Sequence, residues 1–320
     1  MTQDGIVPCF SVESSKGSLD DRSKAVGTAI LRARDRKPAY EGFYPFLGNL
    51  FLAQERARET VRPDPCKPVP SLVQTQWEEG FPLLKRWDFP VDGRSADEVR
   101  RELGKFIPQD NPNMRTAFEA LSAGLDKKKE GAEEFWRSFL LHEGEPWGKW
   151  VNMNGIDTAS LLFLARSCIR PSIEWTAGDL LRRFPLPQTW LRGYCPVCGS
   201  LPALLLLQGE GERKGYCSWC GTTWGLNRMQ CPCCDNRHHE SLGYIFAEED
   251  PLYRIQYCRL CKCYFKMIDA RESAGSTYLP LEEWTTLHLD LLARKSGWGI
   301  PPSPSPTVYG PLDGVPCAGA

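Results

Sequence analysis

Cysteine pairs at Cys195/Cys198, Cys217/Cys220, Cys231/Cys234 and Cys258/Cys261 all fall within 67 residues of a 320-residue chain. Each pair has the form Cys-x-x-Cys. A thiolate is a soft, charged ligand, and four of them wrap one tetrahedral metal ion. Eight paired thiols therefore read as two four-cysteine metal sites. Two other chemistries compete. A disulfide framework belongs to oxidising compartments, and is densest in small secreted domains. Residues 1–26 are polar and carry no secretory pattern. A thioredoxin-like redox motif needs one such pair in a βαβ setting, not four in series.

The spacing also bears on which pairs share a metal. Sequential pairing gives C-x2-C-x18-C-x2-C and then C-x2-C-x23-C-x2-C, whereas interleaving leaves gaps of 32 and 37 residues. Shorter loops close at lower entropy cost, which favours sequential pairing. A turn that aims backbone N–H groups at sulfur commonly has a left-handed residue after its second cysteine, where glycine is least strained. Gly199 and Gly221 fill that place in the first set, and Asp235 and Lys262 in the second. The second metal is therefore expected to be held less rigidly. Cys233 and Cys263 crowd the second set, either as competing ligands or as small buried thiols. His238 and His239 lie in a polar loop and read as solvated residues rather than ligands. A closed four-thiolate site has no open position for water or substrate, which argues against hydrolytic catalysis. No nucleophile elbow, phosphate-cradling glycine loop or HExxH motif accompanies it, so the chain reads as a non-enzyme without catalytic residues.

The positioning elements divide the chain by texture. Residues 1–38 lack apolar periodicity and read as a flexible leader. From 39 to 190 the pattern is helical. Phe43, Phe46, Leu47, Leu50 and Ala53 share a helix face. Ser95 and Glu98 fit a capping box, with Leu103, Phe106 and Ile107 turned inward. Residues 113–125 and 132–142 are further helices. Asp157 or Thr158 caps a helix to about Arg170, and Pro171 then opens the next one. Short β-prone pieces at Tyr244–Phe246 and Tyr253–Tyr257 mark the cysteine region, divided into modules at 191–228 and 229–272. A C-terminal helix spans 279–298, with Trp284, Leu287, His288, Leu291 and Leu292 on one side. Residues 299–320 hold six prolines between 301 and 318 and read as a disordered tail. The fold class is thus an α protein with small metal-stapled β modules.

Composition narrows the function. A net charge of -1 gives no pull toward nucleic acid or anionic membrane, and no apolar run spans a bilayer. Across 191–272 nine acidic residues face ten basic ones, so a nucleic-acid-binding zinc ribbon ranks low. Fourteen cysteines without a secretory signal suit a reducing cytoplasm. Trp219 and Trp224 stand on short loops beside ligands, with Arg213 and Arg228 near in sequence. They form a candidate partner surface, because Trp and Arg concentrate at interface hot spots. The two arginines serve equally well as counter-charges to thiolate centres. A rubredoxin-like electron carrier, or a sulfur carrier using Cys233 or Cys263, is the competing class.

The residues from Leu191 onward resemble the FdhE family. The likeness is carried by Tyr194 to Pro202 (Tyr-Cys-Pro-Val-Cys-Gly-Ser-Leu-Pro), Arg213, Cys217 to Cys220 (Cys-Ser-Trp-Cys), Trp224, Arg228, Cys231, Tyr244, Cys258 to Cys261 (Cys-Arg-Leu-Cys) and Tyr264 to Ile268 (Tyr-Phe-Lys-Met-Ile). It extends more weakly over residues 40–298. It implies a helical domain joined to two rubredoxin-like modules, with metal on the eight paired cysteines: two iron ions per chain, or zinc. It also implies a cytoplasmic accessory factor that binds the catalytic subunit of a respiratory formate dehydrogenase during maturation, before export. Lys262 stands where the family pattern has glycine, and Cys233 is additional.

Overall fold

The computed structural model describes residues 18–68, 70–127, 131–140, 155–246, 250–271 and 277–302. They form two compact units. One is helical and comprises residues 18–67 and 86–176. The other holds the cysteines and takes residues 177–302 together with an upstream piece, Pro68–Lys85.

The helical unit begins with α1 (Leu19–Arg36), where the sequence suggests a flexible leader. Its N-terminus is fixed by a capping box. The Asp21 N–H donates to Ser18 Oγ at 3.2 Å, and the Ser18 N–H donates to the Asp21 carboxylate at 3.0 Å. Val26 and Ala33 are its only buried residues, a seam too sparse to show as periodicity. Helix α2 (Tyr44–Thr60) buries Phe46, Leu47, Leu50 and Ala53 as expected, while Phe43 stays exposed just before it. After α3 (Pro70–Glu79), helix α4 (Gly93–Gly104) starts three residues earlier than the Ser95 box requires. Asp92 caps it by accepting from the N–H groups of Arg94 and Ser95, which places Ser95 inside the first turn. Phe106, past the helix end, is exposed rather than inward. Helices α5 (Pro112–Lys127) and α6 (Ala132–Arg137) follow, then a 3-10 turn at Ser138–Leu140.

Pro171 does not divide two helices. A single 26-residue helix, α7 (Thr158–Arg183), runs through it, capped by Asp157. A proline inside a helix leaves the carbonyl four residues earlier without its donor. That carbonyl is Ser167 O, and the buried side chain of Gln54 on α2 donates to it at 2.8 Å. The replacement bond is long-range, so nothing near Pro171 in sequence announces it. The next turn buries Glu174, which accepts from Arg170 Nε at 2.8 Å and from Arg58 on α2. Arg58 also pairs with Glu55, which in turn meets Arg22 of α1 at 3.2 Å.

In the second unit, six strands make one sheet: β1 (Leu204–Gln208), β2 (Glu212–Tyr216), β3 (Thr223–Leu226), β4 (Leu242–Phe246), β5 (Tyr253–Cys258) and β6 (Tyr264–Asp269). The order is β3-β2-β1-β6-β5-β4. Each half is an antiparallel meander. They join through a parallel pairing of β1 with β6, in register Leu204↔Lys266 to Leu207↔Asp269. The apolar run Leu204–Leu207 is what a strand central to a sheet needs, because neighbours flank both edges. Two helices cover one face, α8 (Leu279–Trp284) and α9 (Leu287–Lys295). Leu204, Leu206 and Tyr216 of the first half, Tyr253, Ile255, Tyr264 and Ile268 of the second, and Leu279, Leu289 and Ala293 of the helices share a single core. The expected single C-terminal helix is broken at Thr285 and Thr286. Both are buried, and the Thr286 hydroxyl donates back to Glu282 O at 2.6 Å. The break rotates the inward face onto Leu289 and Ala293 and leaves Leu291 exposed. The expected tail beyond 302 lies outside the described residues, as does the end of the 132–142 helix. Among the described residues no helix is long and apolar enough to cross a membrane.

Candidate metal centre

The four Cys-x-x-Cys pairs fold as four copies of one turn. In each, the N–H of the first cysteine donates to the carbonyl five residues on. The N–H four residues on donates back to the first cysteine's carbonyl. The partners are Cys195 with Ser200 and Gly199, Cys217 with Thr222 and Gly221, Cys231 with Asn236 and Asp235, and Cys258 with Cys263 and Lys262, all at 2.8–3.0 Å. The fourth residue on is left-handed every time: φ is 71° at Gly199, 73° at Gly221, 57° at Asp235 and 62° at Lys262. The second pair of turns thus reaches the same backbone with residues that carry a Cβ, at about 1–2 kcal/mol of strain each.

The turns close in sequence order. Cys195, Cys198, Cys217 and Cys220 form one tetrad, and Cys231, Cys234, Cys258 and Cys261 the other, with all Sγ atoms of a tetrad within 4.8 Å of one another. Sγ–Sγ separations are 3.4 Å (Cys198–Cys217) and 3.6 Å (Cys195–Cys220) in the first, and 3.6 Å (Cys231–Cys261) and 3.7 Å (Cys234–Cys258) in the second. Four sulfurs at ~2.3 Å from a tetrahedral ion stand about 3.8 Å apart. The donor set and its spacing therefore fit a four-thiolate metal ion in both places.

The two tetrads differ in their surroundings. All four thiols of the first are buried. Ser200 and Thr222 place hydroxyls 3.0 Å and 3.2 Å from the Cys198 and Cys220 sulfurs, a supporting layer that steadies thiolate ligands. Burial pushes the Cys195 and Cys220 thiols up. Burial also opposes ionisation of Cys217, but hydrogen bonds from Cys195, Cys198 and Cys220 overcome it and pull that thiol down. In the second tetrad Cys234 is exposed and Cys261 half-buried. There Asn236 donates to Cys258 Sγ at 3.5 Å. Burial opposes ionisation of Cys258 too, but backbone N–H groups and the Asn236 amide bring it down to about 7. His238 and His239 are exposed, and the groups of potential ligands among the described residues contain cysteines alone.

The residues expected to form a partner surface separate. Trp224 is buried against the space left by Gly215 and donates to Arg192 O at 3.0 Å. Arg213 is buried as well. It donates to Asn227 O at 2.7 Å, Gln230 O at 2.8 Å and the Gln256 side chain, and so ties β2 to the linker and to β5. Desolvation lowers its pKa to about 10, with Tyr244 and Cys231 pulling the other way. Trp219 is partly buried and Arg228 exposed. The arrangement thus leaves Trp219 and Arg228 near solvent and makes Arg213 an internal brace.

Two contributions were not visible in the cysteine pattern. Residues upstream of the helical bulk complete the first centre: Leu83 and Leu84 N–H groups donate to Pro196 O and Val197 O at 3.0 and 2.9 Å, and the Tyr194 hydroxyl donates to Gly80 O at 2.6 Å. The apolar stretch Phe81–Leu84 is the only signal, and it does not name its partner. Gly193 supplies the other. A Cβ there would fall 2.0 Å from Pro232 O, so the segment entering the first tetrad lies directly on the third turn. Gly193→Ala is expected to lose about 1–3 kcal/mol through overpacking, read as a lower melting temperature of the metal-loaded protein.

Fold and site together define a class: a helical protein bearing twin four-cysteine modules fused through one sheet. No protein-family model matches the chain. Its curated relatives include the FdhE homologue of Aquifex aeolicus, 35% identical over 149 residues, which is 45% of this chain and 51% of that protein. The FdhE homologue of Edwardsiella ictaluri is 27% identical over 180 residues, 55% of this chain and 54% of that one. The matched region thus spans about half the length of these relatives. The crystal structure of the FdhE protein from Pseudomonas aeruginosa shares the fold, with a TM-score of 0.63 over 93% of this chain and 99% of that chain at 20% identity. In sequence over about half its length, and in fold over most of it, the chain is thus similar to FdhE proteins.

Proposed function

We propose that this protein is a cytoplasmic accessory factor for formate dehydrogenase biogenesis, which binds the enzyme's catalytic subunit before export and carries a metal ion, iron or zinc, in each tetrad. The observation that carries the metal assignment is the fourfold repeat of one turn, closing two thiolate sets at tetrahedral spacing. The eight paired cysteines would hold the ions. A closed thiolate tetrad supplies folding energy and a rigid scaffold. The relatives' names support the link to formate dehydrogenase.

Trp219 and Arg228 are the proposed contacts, since both stand near solvent beside the first module. Trp224 and Arg213 serve instead to hold its shape. The test is titration of the metal-loaded chain into purified formate dehydrogenase catalytic subunit, followed by calorimetry. A 1:1 complex, weakened at least tenfold by Trp219→Ala or Arg228→Ala, is the expected result, in line with hot-spot losses of about 2 kcal/mol or more. No complex with the loaded protein would overturn the partner assignment. A colourless protein with two zinc ions per chain would assign the tetrads a structural role. Iron with reversible bleaching would add electron transfer.

A further inference from the structure

We infer that Cys233 and Cys263, with Cys261 shared, form a third thiolate site that takes an additional soft divalent cation beside the second tetrad. The inference rests on the second tetrad holding a metal and adds a neighbour to it.

The three sulfurs lie within 4.8 Å of one another, and Cys233 Sγ stands 3.6 Å from Cys263 Sγ, the same separation found inside the tetrads. The position of Cys263 is telling. It is the residue two past the second cysteine of its turn. The other three turns place Ser200, Thr222 and Asn236 there, each with a polar group at 3.0–3.5 Å from a ligand sulfur. Only the fourth turn substitutes a thiol, and only the third carries an extra cysteine, Cys233, directly facing it.

Both thiols are set on fixed backbone. Cys263 accepts from Cys258 N–H at 3.0 Å, and residues on either side of it are clamped to Gly299, through Tyr264 N–H at 3.1 Å and Lys262 O at 2.8 Å. Cys233 follows Pro232, on which Gly193 packs. The set is therefore preorganised rather than a chance approach of mobile side chains. Cys233 and Cys261 are half-buried, so an ion can reach them.

Charge balance permits the addition. A divalent ion would displace one proton from Cys233 and one from Cys263 into solvent, so the loaded cluster keeps the net charge of the single four-thiolate centre. Cys261 would bridge, as a thiolate has lone pairs for two metals. The new ion would have three sulfur ligands and a fourth position open. By the contrast between closed and open sites, this ion exchanges while the tetrad ions stay.

The experiment uses the full chain, stripped of metal under reducing conditions and titrated with zinc alone. Wild type is expected to bind three zinc ions, the third transferring first to a competing chelator dye. Cys233→Ser and Cys263→Ser should each bind two. Cys263→Ser is the safer variant, because serine stands at the matching place in the first turn. Cadmium loading gives a second readout: two cadmium nuclei coupled through a shared sulfur in wild type, and no coupling in either variant. Two zinc ions in wild type, with Cys233 and Cys263 both alkylated by a maleimide in the loaded protein, would overturn the third site alone. Fewer than two would overturn the tetrad assignment, and the third site with it.

Discussion

Cys195→Ser or Cys220→Ser is expected to reduce the metal content from two tetrad ions per chain to one and to unfold the first module at room temperature. The sulfurs of these two residues sit 3.6 Å apart in a fully buried set. Structural zinc binding contributes apparent free energies of about 10–16 kcal/mol, whereas a whole domain retains only about 5–15 kcal/mol of net stability. Removing one ligand of four therefore takes away more than the module has in reserve. Elemental analysis after the exchangeable third ion has been removed by the chelator dye, with a thermal melt, checks both parts, and retention of both tetrad ions in either variant would refute the ligand set. Cys168→Ser is the control. That thiol is buried in α7, pushed up by desolvation, and belongs to none of the thiol groups. Its metal content should not change.

Glu174→Ala is expected to destabilise the helical unit by about 3–5 kcal/mol, the cost of leaving buried charge without its partner. Arg58 and Arg170 both point at this carboxylate, whose side chain is fully buried. The same network predicts a pH dependence. Burial alone would raise the Glu174 pKa, but the two arginines outweigh it and hold the carboxyl below its ordinary value. A folded pKa below the unfolded one means that the stabilisation is complete above the unfolded value of about 4.3 and is lost as pH falls through the folded one. The difference in melting temperature between wild type and Glu174→Ala should therefore be full at neutral pH and shrink in acid. A difference that stays constant from pH 7 to pH 3 would show that Glu174 acts through packing instead.

The local chemistry of the site was legible in the sequence because it is written in short spacings. Each Cys-x-x-Cys turn is closed by residues at most five apart, and loop entropy pairs the turns in order. The left-handed positions Asp235 and Lys262 could be named in advance for the same reason. What sequence could not show is long-range. The Gln54 side chain that rescues Ser167 O allows a helix to pass Pro171, and it lies 113 residues away. Local rules predict a boundary there. Residues 81–84 join the first centre from beyond a helical stretch that separates them from it in the chain. Trp224 and Arg213 read as surface because Trp and Arg beside ligands look like recognition groups. Their burial depends on the absent side chain of Gly215 and on Gln256, one on a neighbouring strand and one in the other half of the sheet.

The parallel seam between β1 and β6 has a consequence for how the protein responds to metal supply. Two independent modules would each fold when their own ion arrives, and half-loaded chains would accumulate. Here the central strands are hydrogen-bonded to each other, and a single core lies beneath both halves. An empty tetrad at either end therefore withdraws support from the strand that the other end needs. The sheet couples the halves: filling one tetrad would strengthen the other's hold on its ion and emptying one would weaken it, so chains carrying a single ion would be fewer than two independent modules would leave.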